Sequence, residues 1–73
     1  MLTEADLAVY ADAIASVARA AWRSHFGRAD ALTVLRMCDV SADDAVAVLD
    51  YALARGILVA AESGLRAGLA AQG

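Results

Sequence analysis

The sequence predicts a mainly helical fold, three helices followed by a short C-terminal β-hairpin. Three observations carry that reading: apolar residues recur at spacings of three and four, short polar residues stand ahead of those runs, and an apolar, partly β-branched run follows Gly56. Proline is absent and no stretch is rich enough in Gly or Ser to form a linker, so residues 1–73 are read as one continuously structured domain.

The first helix begins at Glu4. Thr3 sits three residues ahead of Asp6, a variant of the capping box with Thr3 as N-cap. Leu7, Tyr10, Ile14, Val17 and Ala21 then form an amphipathic stripe, and Gly27 predicts a stop after Phe26. Such a helix is about 33 Å long at 1.5 Å per residue, which is more than a partner helix of average length covers. Asp30 is the expected cap of a second helix, Ala31 to Cys38, with Leu32, Leu35 and Met37 as its large apolar residues. Ser41, followed by Asp43 and Asp44, opens a third helix that runs to Arg55. Its expected core positions are Val46, Leu49 and Leu53, flanked by Ala45, Val48 and Ala52, and Gly56 closes it as a left-handed cap. Ile57-Leu58-Val59 reads as a strand and Glu62-Ser63-Gly64 as a turn. Leu65 to Ala70 fits either a returning strand or a last helical turn.

Composition limits what holds this fold together. The hydrophobic fraction is 62%, but twenty of those residues are alanine, which forms helix well and buries little area. A single cysteine and a single histidine leave no disulfide and no familiar zinc set, so self-association is the remaining staple for so short a chain. A homodimer is therefore expected, with Leu7, Tyr10, Ile14 and Val17 as the protein interface and Trp22 and Phe26 extending it. The same stripe packed wholly on helices 2 and 3 would instead be monomer core. In a chain this poor in large residues, Trp22 is either the centre of the core or the anchor of an interface.

A short helix, a three-residue turn, a longer helix ending Leu49-Asp50-Tyr51-Ala52-Leu53-Ala54-Arg55-Gly56, then the strand Ile57-Leu58-Val59: over Leu32 to Val59 this resembles a winged helix-turn-helix domain. The resemblance implies that the third helix is a recognition helix leading into a wing. The pattern is shared by many families and speaks for a fold more than for a function.

The chemistry of DNA reading is missing where the resemblance places it. A recognition helix uses Arg, Lys, Asn or Gln near its N-terminal half, whereas the expected exposed positions here are Ala42, Asp43, Ala47 and Asp50. Net charge is -3, which also argues against broad capture of nucleic acid or anionic membrane. Candidate phosphate contacts are Arg19, Arg23, Arg28 and Arg66, although for Arg19 and Arg23, one turn apart on helix 1, a solvated face or an ion pair with Asp12, Asp30 or Asp39 is the favoured account.

No catalytic set emerges. Cys38, among Leu35, Met37 and Val40, reads as a small buried hydrophobe, and His25 as a surface residue near a helix C-terminus. Ser16, Ser24, Ser41 and Ser63 lack a base in any recognisable motif, and the neighbouring carboxylates of Asp43 and Asp44 diverge on a helix. No cofactor or metal is expected. The acidic N-terminus is unlike a secretory signal, and the longest uncharged run, Ala67 to Gly73, is far short of a membrane span, so a cytoplasmic protein is expected. These readings converge on a non-enzymatic protein-interaction module, a small regulator, adaptor or inhibitor acting through helix contacts; the alternative is a DNA-binding transcriptional regulator acting as a dimer.

Overall fold

The computed structural model describes residues 2–62 and 64–70. Ser63, in the expected turn, and residues 71–73, in the uncharged run, lie outside them. Three helices, α1 (Glu4–Ala20), α2 (Arg28–Met37) and α3 (Ala42–Ala54), precede two strands, β1 (Leu58–Ala61) and β2 (Gly64–Ala67).

Local cap chemistry accounts for most of the boundaries. At the start of α1 the Asp6 amide donates to Thr3 Oγ1 at 3.1 Å and the Thr3 amide donates to the Asp6 carboxylate at 3.2 Å, so both halves of the capping box form. At α3 the Asp44 amide donates to Ser41 Oγ at 3.2 Å, and Asp43 and Asp44 lie in the first turn, where the helix dipole favours carboxylates. Helix α2 begins three residues earlier than the sequence predicts. Gly27 is its N-cap, and Asp30 serves from inside the helix, its carboxylate accepting the Gly27 amide at 2.9 Å.

Two helices end in the same way. After α3 the Gly56 amide donates to the Leu53 carbonyl and the Ile57 amide to the Ala52 carbonyl, with Gly56 at φ 73°. After α2 the Asp39 amide donates to Arg36 and the Val40 amide to Leu35, with Asp39 at φ 63°. Both are Schellman closures, in which a left-handed residue lets the chain reverse and an apolar residue, here Ile57 or Val40, returns to the core. Asp is among the few side chains that tolerate this conformation, whereas a β-branched residue does not. Gly56→Val is accordingly expected to lower stability by about 1 kcal/mol or more. A melting temperature unchanged within error would contradict this account of the α3 terminus.

Helix α1 stops six residues short of the expected Phe26. Its C-cap is Ala21, and Phe26 leaves the helix axis to enter the core, 5% exposed. There the Phe26 carbonyl accepts the Leu65 amide at 2.7 Å, and Phe26 bridges Gly64 in parallel fashion. The strands themselves pair antiparallel, Leu58 opposite Ala67, Val59 opposite Arg66, Ala60 opposite Leu65 and Ala61 opposite Gly64. Leu65 to Ala67 is thus strand. Beyond it the Gly68 amide donates to the Ile57 carbonyl at 2.7 Å and the Ala70 amide to the Gly56 carbonyl at 3.2 Å, prolonging the hairpin by two bonds.

One apolar cluster joins all these elements. Its α1 members are Ala11, Ile14, Ala15 and Ala18, so the inward face is turned towards alanines, with Leu7, Tyr10, Val17 and Ala21 half-buried at its flanks. From α3 come Ala45, Val48, Leu49 and Ala52. Val46, an expected core residue, is exposed, and Leu53 is half-buried. The reason is steric. Alanines on facing helices allow the backbones to approach closely, and the larger side chains then fill the margins. No helix of the described residues is long and apolar enough to cross a membrane.

Candidate interaction surface

The described residues form no pocket, and the candidate surfaces are those of exposed side chains. Among them no group of three or more His, Cys, Asp or Glu is placed to hold a metal ion.

The expected interface residues separate into three groups. Ile14 is 0% exposed and Phe26 5%, both covered within the single chain. Leu7, Tyr10 and Val17 are half-buried against the same core. Trp22 alone stands out, 63% exposed, in the loop between α1 and α2. With α1 ending at Ala20, Trp22 and Phe26 are not one turn apart on a common helix, and they point to different surroundings.

Of the candidate phosphate contacts, Arg19 is exposed in the last turn of α1. Arg23 lies over the Trp22 ring, its guanidinium carbon 4.6 Å from the centroid, rather than against a carboxylate. Arg28 opens α2, its Nη2 4.0 Å from an Asp50 carboxylate oxygen. Arg66 is half-buried in β2, away from that loop in the chain. Arg19, Arg23 and Arg28 therefore form the basic element, with no acid between Asp12 and Asp30 in the chain and Asp50 of α3 beside Arg28.

Helix α3 presents the opposite surface. Ala42, Asp43, Val46, Ala47, Asp50 and Ala54 face solvent, as the sequence predicted for four of them. The stripe holds two carboxylates among small apolar groups and no cation. Next to its N-terminus, at the end of α2, Met37 is 80% exposed and Cys38 is exposed as well. Sequence reasoning placed both in or beside the core. It failed there because the Schellman turn sends Val40, not Met37 or Cys38, back inward.

One contact escaped sequence reasoning entirely. Arg55 Nη2 at the end of α3 meets Glu4 Oε1 at the start of α1 at 2.7 Å, and the same guanidinium lies 5.0 Å from the Tyr51 ring centroid. The partners are 51 residues apart, so no local pattern could announce the pair.

No protein-family model matches the chain, and neither a curated protein nor a solved structure does.

Proposed function

We propose that the chain is a non-enzymatic, winged-helix-like module that binds protein, a small regulator, adaptor or inhibitor acting through helix contacts. The order of three helices and an antiparallel hairpin supports the winged-helix layout, as does the Phe26 carbonyl bonded to β2, which adds a third short segment beside the hairpin. The observation that carries the function is the solvent face of α3. In a winged-helix layout this face is the one offered to a partner, and here it offers Asp43, Val46, Ala47 and Asp50. Carboxylates placed against phosphates would be repelled, and alanine and valine supply no donor for base edges. The same mixture of acids and small apolar groups suits a polypeptide surface that contributes cations and apolar side chains.

The exposed Arg19, Arg23 and Arg28 favour a second reading, a dimeric DNA-binding regulator that uses these arginines in place of α3. Fluorescence anisotropy with a generic labelled duplex at low salt separates the two. The protein-binding reading predicts no change at micromolar protein. Binding that falls steeply as salt rises would overturn it.

A further inference from the structure

We infer that this chain associates with itself head to tail, the α1–α2 loop of one copy docking on the α2–α3 turn of the next. The inference rests on the protein-binding reading and names a second copy as the partner.

The charge is divided along the chain, and within the fold Arg28 at the end of the basic stretch is offset by Asp50, while Arg19 and Arg23 have no carboxylate partner among the described residues. Residues 13–29 carry three arginines and no acid, while the rest of the chain holds all nine acids against three arginines. The basic stretch ends in the loop where Trp22, under the Arg23 guanidinium, is the largest exposed apolar side chain. At the far end of α2 the turn from Arg36 to Asp44 sets one arginine against Asp39, Asp43 and Asp44, with Met37 exposed among them and Val46 just beyond. Each patch thus pairs an apolar centre with a surround in which one sign predominates, and the predominant signs are opposite. Thioether sulfur is also a favourable neighbour for an indole ring.

The two patches cannot satisfy one another inside one molecule. Helix α2, ten residues long, holds them about 15 Å apart at 1.5 Å per residue, several times the reach of an ion pair. They can meet only between copies. The α1 stripe does not compete for that role, because Ile14 and Phe26 are covered within the chain. A contact between two different patches leaves one of each unused at the ends of every assembly, so it propagates with concentration instead of stopping at a symmetric pair. Built on exposed charges around single apolar side chains, the contact is expected to be weak, reversible and sensitive to salt.

Sedimentation of the full chain over a range of concentrations tests this, with Trp22→Ala and Asp43→Arg as variants. Both positions are exposed, and far-UV circular dichroism checks that each variant keeps its helices. The average mass of the unmodified chain should rise with concentration and fall back towards one chain at high salt. Each variant alone should stay at the mass of one chain at concentrations where the unmodified chain associates. Mixed, they should form pairs and stop there, since Trp22 survives in one partner and Asp43 in the other. A mass of one chain at every concentration, or a mixture that forms no pairs, would overturn the inference. A chain that sediments as a monomer and also ignores duplex DNA loses the head-to-tail contact and keeps the protein-binding reading. One that binds duplex in a salt-dependent way loses the reading itself.

Discussion

Ile14→Ala is expected to remove about 4 kcal/mol of stability, within the range of about 2–5 found when a buried Ile or Leu is cut to Ala. Ile14 is 0% exposed and is the largest apolar side chain that α1 contributes to a core otherwise lined by its alanines. Alanine neighbours have no spare side chain to move into the vacated space, so the cavity term is kept and the loss lies towards the upper part of that range. A domain of this size has about 4–11 kcal/mol in total at the usual values per residue, so the substitution removes a large share of it. The melting temperature should fall by about 15 °C or more, given about 4–8 °C per kcal/mol for small domains. Val9→Asp, on the opposite and exposed face of the same helix, should shift it only slightly. Equal melting temperatures for the two variants in dilute solution would mean that Ile14 is not part of the core of a single chain.

Gly64→Ala is the second large effect. Gly64 has φ 117°, a region that side chains rarely adopt, and a Cβ added there would lie 2.6 Å from the Phe26 carbonyl oxygen. The backbone on both sides is committed, because that same oxygen accepts the Leu65 amide. Relief therefore has to break the link between the loop after α1 and β2, which lets Phe26 out of the core. Conformational strain of about 1–3 kcal/mol and an overpacking term of similar size act together, for an expected loss of about 2–6 kcal/mol. The urea midpoint of unfolding should move in proportion. An unchanged midpoint would show that the Phe26–Gly64 contact contributes nothing to the fold.

What the sequence revealed of this fold was decided within three or four residues. Thr3 with Asp6, Ser41 with Asp44, and Gly56 after α3 each act on backbone groups one turn away, and each is placed where local chemistry puts it. The β-branched Ile57 and Val59 likewise marked the strand region. The end of α1 was not legible, because Phe26 is drawn from the helix by Leu65 and Gly64, almost forty residues later in the chain. The same holds for the orientation of the helices. Weighting bulky residues put Val46 and Met37 inside, whereas close approach through Ala11, Ala15, Ala18, Ala45 and Ala52 turns Val46 outward, and the turn after α2 returns Val40 to the core in place of Met37. On the surface, the acidic, donor-free face of α3 could be read from the sequence as a helical stripe. Its counterpart could not, since the exposure of Trp22 follows from where α1 ends.

The backbone amide spectrum of the isotopically labelled chain, recorded by NMR over a dilution series and again with a short DNA duplex, tests the protein-binding account most directly. At low salt the amides of Trp22, Arg23, Met37, Asp43 and Val46 should shift together with concentration, those of the α1 core residues Ala11 to Ala18 should stay fixed, and the duplex should move none of them. A spectrum indifferent to concentration, in which duplex DNA shifts the α3 amides or those of Arg19, Arg23 and Arg28, would contradict the account.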